Sequence, residues 1–600
     1  MQNGGVFFIS TMEDDYEKSQ YVKGSTGDEI FMHYHQADYL SAALQENGFK
    51  IFLISNQPDY AKGNTGLENL SEVQNELNES LNYNWINKNR LQISANKSKK
   101  IVLEYIYFSY ERTVRLCHVN RFHAFINPAN CLMMVEGKTN CIHHVIINNP
   151  WTKISTALSK VENDTFGALN YDILIDSPLE IGDHNVYEYE LHGSKHEVAI
   201  YGEGGFYPDW INEQTKRIVN GGFEMWKKLP YDRYVFIIQL LPNLRGGLEH
   251  SKSSVNMFNS NAISDSIGMN KLLSLLVHEY FHLWNVKRIR PLELGSFDYN
   301  NEVYTSMLWL CEGFTSYYDD LLTYKAGFRT IDEYFKILNE DHLEKLLNTP
   351  GRLVMSVKES SFHAWSKFYN PNQDTHNRFP SYYIKGGTIA WLLDIYILSI
   401  TNGEKNLDSV MRGLMDNYNL NQSVGITDDD FYNIAENSIG YEIKSLTEAW
   451  LNSIDELPIN QYLELIGLEW VELVNSNEVT FGNNLIFQNI NVNYDFGMDL
   501  KDEDSMLIVD KIYDNSLAEI NGIGAGDEIL AIDNYRVTST DNFISLIGSK
   551  NNDEINLLCS SECRIYNTRI KLKPKKKFIL RIKSELSESQ NHLFNCWLNR

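Results

Sequence analysis

The sequence predicts a multidomain α+β protein, and three observations carry that prediction. The chain has 600 residues, 43% hydrophobic and 12% aromatic, enough to bury several cores. Strand patterns dominate from Arg90 to about residue 204, in runs such as Lys100 to Phe108 and Val145 to Ile147. Helical spacing takes over from about 205 to 457, and short strands and turns return after Leu457 and Pro458.

The formal charge of −26 argues against nucleic acid, an anionic membrane or any polyanion as partner. Seven widely spread cysteines form neither a disulfide framework nor a CxxC knuckle, and read as reduced thiols. The start, Met1 to Phe8, has no basic region and too short an apolar run for a signal peptide. No segment is expected to span a membrane, and a cytoplasmic location is the expectation.

In chain order, residues 1–60 alternate strand, helix and strand. Gly5 to Ser10 reads as a buried strand, Gln36 to Asn47 as an amphipathic helix closed by Gly48, and Phe49 to Ile54 as a strand. Residues 61–84 are rich in Asn, Glu and Ser and read as a linker with one weak helix. Residues 85–204 form the N-terminal β-domain, where the adjacent His143 and His144 would face opposite ways along a strand. Gly202 to Gly205 reads as a turn, since no phosphate-binding helix follows it. Residues 205–457 form a helical domain, 470–580 a small strand-rich domain, and 584–600 a closing amphipathic helix. The basic run from Lys571 to Lys577 reads as a solvated edge.

The chemistry concentrates in Leu275 to Trp284. His278 and His282 are four apart, so on a helix both imidazoles leave one face and can bind one Zn²⁺. Glu279 lies beside them, able to take a proton from the attacking water. A three-ligand site needs one more donor. Downstream, Glu312 sits among apolar neighbours in the helical stretch Trp309 to Asp320, and a carboxylate so placed is normally paired or metal-bound. Before the zinc helix, Leu244 to His250 carries Gly246, Gly247 and Glu249 after an apolar strand. Glycines there let a ligand's backbone approach, and an acidic residue can hold a peptide's α-ammonium.

The stretch His278 to Pro291, with Phe297-Asp298-Tyr299 and Trp309 to Asp320, resembles the glycyl aminopeptidase family of PDZ-bearing gluzincin zinc metallopeptidases. Glu111 to Arg115 and His123 to Pro128 resemble that family's N-terminal β-domain, in which an earlier stretch is missing here. Met506 to Ile512, Asn515 to Glu519 and Gly522 to Ile532 are similar to a PDZ domain. The resemblance implies a thermolysin-like catalytic domain over 205–457 after a partial β-domain. It also implies one Zn²⁺ per chain on His278, His282 and Glu312, with Glu279 as general base.

A helix is expected over Thr388 to Leu398, and by the same resemblance Tyr383, two before Lys385-Gly386, donates to the oxyanion. Glu249, with Gly246 and Gly247, holds the substrate's N-terminus. The partners it implies are peptides with a free N-terminus, Gly or Ala first, and a peptide C-terminus at the PDZ domain. Alternatives with the same residues are an endopeptidase, in which Glu249 anchors nothing, and an inactive PDZ interaction protein. Finally, Gly4 to Ser10 with Leu44 to Ile51 resembles the last third of an S-adenosylmethionine-dependent methyltransferase. The glycine-rich cofactor loop has no counterpart, so no methyl transfer is expected.

Overall fold

The computed structural model describes residues 79–87, 89–94, 100–202, 208–421, 424–473, 495–548, 554–572 and 576–598, with short strand segments at 12–13, 20–23, 29–32, 34–35, 70–75, 479–481 and 484–486. The strands and helix expected in Gly5 to Ser10, Gln36 to Asn47 and Phe49 to Ile54 lie outside the described residues, as do 203–205 of the glycine-rich turn. The chain divides into two compact units, 1–223 with 228–283 and 224–227 with 284–600.

The first unit is built mainly from antiparallel strands. Lys153–Thr156, Leu179–Gly182, His123–Ile126 and His118–Val119 form one four-stranded sheet. Its inner face carries Val119, Ala124, Ile126, Leu179 and Ile181. His143 and His144 lie on a strand, half-buried and exposed in turn, as the alternation predicts. Part of the polar stretch 61–84, read as a linker, forms strands. Leu70–Asn75 pairs with Ile101–Tyr105, and Tyr83–Asn87 forms a hairpin with Arg90–Ile93. Polar composition misled because buried anchors such as Val73 and Leu81 are sparse in it, while the ladder hydrogen bonds are invisible in composition.

A five-stranded mixed sheet completes this unit. It contains β1 (Asn185–Leu191), β2 (Ser194–Tyr201), β3 (Arg233–Leu241), β4 (Arg245–Glu249) and β5 (Ser253–Asn259), in the order β1-β2-β3-β5-β4. β2, β3 and β5 run parallel, and α1 (Pro208–Trp226) makes the crossover from β2 to β3. β3 reads Tyr-Val-Phe-Ile-Ile-Gln-Leu without alternation because both faces are covered. α2 (Ser266–Phe281) then follows β5. Asp265 caps it by accepting from Gly268 N at 2.8 Å, and Leu272, Leu273, Leu276 and Val277 are buried.

The second unit is helical up to about residue 466. A π-helical turn, Trp309–Gly313, runs directly into α3 (Phe314–Lys325). The central helix, α4 (Tyr382–Ile400), begins at Tyr382, six residues before the start at Thr388 expected from sequence. Gly386 and Gly387 therefore lie inside it. A Cβ on Gly313 would stand 2.6 Å from the Gly386 backbone, so the π turn and α4 touch where neither has a side chain. This helix also corrects the expectation that nothing is long enough to span a membrane. By length and composition the stretch Thr375–Ile400, which contains α4, qualifies, yet most of the side chains of α4 are buried in the fold.

Beyond it, β6 (Met498–Glu503), β7 (Met506–Ile512), β8 (Glu528–Ile532), β9 (Glu554–Ser561) and β10 (Arg564–Lys571) form one antiparallel path with β6 at an edge. α5 (Thr540–Gly548) places Phe543 and Ile547 in the same core as Leu507, Val509 and Ile529. The expected closing helix is Glu588–Leu598, whose Trp597 indole donates to the Tyr317 hydroxyl at 3.0 Å.

Candidate active site

Within the first unit, α2 places His278 and His282 one turn apart. Their Nε2 atoms stand 3.0 Å from each other, and the rings are nearly perpendicular. Two lone pairs directed at one point are what a shared cation requires. Glu279 is buried, His282 is buried and His278 half-buried. β4, at the sheet edge, runs beside them. Glu249, Glu279 and His282 each bring one ligand atom within 4.8 Å of the others.

Gly246 pairs with Met257 and Gly247 with Asn256 in the β4–β5 ladder. Gly247 has a more specific duty than leaving room for a ligand. A Cβ there would stand 1.9 Å from Glu279 Oε1 and 2.2 Å from its carboxyl carbon, so only glycine lets this carboxylate lie against β4. His250 continues the strand, with Nδ1 3.2 Å from Asp176 Oδ1, while Asp176 Oδ2 accepts from Ser251 N at 2.8 Å. That contact fixes the end of β4 next to Glu249.

The buried side of α2 is held by polar contacts that no motif announces. The Tyr280 hydroxyl lies 2.6 Å from that of Tyr231, which lies 2.9 Å from His196 Nε2. Burial pushes the Tyr280 phenol up and lowers His196 to about 4, so both are neutral near pH 7. Tyr234 packs edge-on against Tyr280 at 5.2 Å between centroids.

Glu312 and Tyr383 belong to the second unit. Glu312 lies in the π turn, flanked by the buried Trp309, Leu310, Cys311 and Gly313. Extra-wide turns of this kind are frequent at functional sites. Asn285, fully buried, donates from Nδ2 to Leu310 O at 2.8 Å and to Cys311 O at 3.1 Å, and contacts Thr315 Oγ1 at 3.1 Å. It ties itself to two carbonyls of the widened turn, of which Cys311 O also accepts from Thr315 Oγ1 at 2.6 Å. Sequence reasoning passed over it, though its position three residues past His282 was a usable hint.

At the start of α4, the adjacent tyrosines differ in exposure. Tyr382 is fully buried, and burial, with Tyr369 and Glu312 nearby, pushes its phenol far up. Tyr383 is half-buried, with Phe368 stacked on its ring at 5.4 Å.

Residues 271–389 match the family model of the M61 glycyl aminopeptidase, and 65–183 that of the peptidase M61 N-terminal domain. Both matches are to one peptidase family, M61. The M61 N-terminal match begins inside the stretch read as a linker, consistent with the strand at Leu70–Asn75. An aminopeptidase N family protein from Idiomarina loihiensis is similar in structure, with a TM-score of 0.79 and 26% identity, over 88% of this chain and 90% of that one. An M1 zinc metallopeptidase from Deinococcus radiodurans, bound to a Tyr-Ser-Ala substrate, is more remote, at TM-score 0.42 and 12% identity over 68% and 87%. No curated protein matches the sequence. The M61 matches and the Idiomarina structure support peptidase activity.

Proposed function

We propose that this protein is a zinc aminopeptidase that removes an N-terminal residue, Gly or Ala by the habit of the family, from peptides. The observation that carries the reading is the grouping of Glu249 with Glu279 and His282 within 4.8 Å. A carboxylate there, beside the one that serves as base, makes this corner of the site attractive to a cation. The α-ammonium of a peptide whose first bond reaches the metal is such a cation.

The metal ligands in this reading are His278, His282 and Glu312, the set that the resemblance to the family implies. Two imidazole nitrogens and one carboxylate fit Zn²⁺ and leave a position for water and substrate. When bound, Zn²⁺ supplies a Lewis acid for the scissile carbonyl and lowers the pKa of water. Glu279 accepts the proton of the attacking water at its carboxylate and delivers it to the leaving amine. Tyr383, with its half-exposed ring, donates its phenol hydrogen to the carbonyl oxygen as that oxygen gains charge. Tyr382, fully buried, is the weaker candidate for this role. The strand-rich region around β6 reads as a PDZ domain whose edge strand can take an extended peptide.

The test compares a Gly-led peptide with its N-acetylated form. The free peptide should lose one residue, and the acetylated form should be a poor substrate. Glu249→Ala should lower kcat/KM on the free peptide by roughly 30- to 4000-fold, the equivalent of the 2–5 kcal/mol typical for removing one partner of a buried charge pair. Its zinc content should be unchanged. Equal rates on both peptides with internal products would make the enzyme an endopeptidase and remove Glu249 from the site.

A further inference from the structure

Four residues before Tyr382, the chain makes a compact turn whose partners lie in the strand-rich region more than 130 residues away. Asn377, 3% exposed, is its centre. Its Nδ2 donates to Ile512 O at 2.8 Å and to Asp374 Oδ1 at 2.9 Å, and its Oδ1 accepts from Asp514 N at 3.0 Å. His376 Nε2 is 2.9 Å from the same Ile512 carbonyl, and its ring lies 4.4 Å from that of Tyr513. Arg378 reaches both oxygens of Asp514, at 2.5 and 3.3 Å, and Asp374 at 3.1 Å.

These contacts meet the end of β7. Tyr513 N donates to Gly497 O at 2.9 Å, and its hydroxyl to Asp499 at 3.2 Å, so the same point is tied to the first residues around β6. In the other direction the chain has little slack. Phe379 N donates to Thr375 O at 2.8 Å, and the Phe379 backbone presses on Gly351, where a Cβ would stand 2.4 Å from its nitrogen. Ser381 then caps α4, accepting from Ile384 N at 3.4 Å. Tyr383 follows two residues later.

We infer that Asn377 is a positioning residue for Tyr383. The strand-rich region, through Ile512 and Asp514, anchors the turn that fixes where α4 begins and where the Tyr383 phenol is aimed. The inference rests on the proposed role of Tyr383 and adds to it a structural reason for the C-terminal region to accompany the catalytic one. Asn377 touches no reacting atom; it acts through Tyr383 alone. Changing it should therefore lower kcat and leave KM and zinc content near their wild-type values.

The experiment is a double-mutant cycle on the full chain, reading kcat and KM on a Gly-led peptide. Asn377→Ala should lower kcat by roughly 3- to 30-fold, the usual scale for coupling carried through packed elements. In a Tyr383→Phe background the same change should cost almost nothing, because the group it positions is already absent. If Asn377→Ala costs the same factor in both backgrounds, the positioning role is wrong and the oxyanion role of Tyr383 stands. If Tyr383→Phe is as active as wild type, the oxyanion role fails and this inference fails with it. Should Asn377→Ala not fold, Arg378→Asp combined with Asp514→Arg carries the test. Each single change should lower kcat and the pair should restore it, whereas no restoration would overturn the inference.

Discussion

Gly247 illustrates how much of this site depends on one missing methyl group. The Glu279 carboxylate occupies the space where a Cβ would be, and Glu279 is buried, so it has little room to withdraw. Gly247→Ala should displace the carboxylate without touching either histidine. Loss of a correctly placed general base typically costs about 100- to 10,000-fold in rate. We expect a fall in kcat in that range with zinc content intact, measured by steady-state kinetics and elemental analysis on one preparation. A variant with wild-type kcat would mean that Glu279 is not the base. The neighbouring tyrosines at 382 and 383 make the complementary point, since chemistry is the same in both and exposure alone separates them.

At the level of elements, the π turn at Trp309–Gly313 is the piece most dependent on outside help. Asn285, from outside the turn, donates to two of its carbonyls, Leu310 O and Cys311 O. Asn285→Leu keeps the volume and removes these donors, and although Cys311 O keeps its bond from Thr315 Oγ1, the loss should cost about 1–3 kcal/mol. Because Glu312 is carried by this turn, zinc should bind roughly 10- to 100-fold more weakly, the scale found when outer partners of metal ligands are removed. Competition with a chromogenic chelator measures this. Unchanged affinity would detach the turn from metal binding.

For the whole molecule, Lys385 makes stability depend on pH. Its ammonium is buried in the first turn of α4, 3.4 Å from Arg352 O and 3.3 Å from Ser453 O. Burial lowers it to about 8 from 10.5. Between those values the unfolded chain holds a proton that the folded chain has released, so stability contributed by this group rises with pH across that window. Below about pH 8 both states hold the proton, and burying the charge is a constant cost. Lys385→Met has no such titration. Denaturant midpoints of wild type and variant, followed from pH 8 to 10.5, should therefore change in favour of the wild type. Parallel curves would show that the amine is not depressed.

The sequence by itself determined the candidate site residues and the broad order of strands, then helices, then strands. It could do so because HExxH is a local pattern, and because hydrophobic periodicity reports which faces must be buried. A carboxylate among apolar residues was equally legible at Glu312, since burying an unpaired charge is costly. What only the tertiary structure decided was every relation set by contact over long sequence distances. The strand at Leu70–Asn75 exists because Ile101–Tyr105 pairs with it, although its composition is that of a linker. α4 starts early, through two glycines, because the π turn packs against it there. Asn285 and Asn377 look like ordinary polar residues in the sequence, and their roles appear only where they meet carbonyls left by distant turns. Propensity and periodicity act over a few residues, whereas backbone groups that a fold leaves unpaired are defined only once the fold is closed.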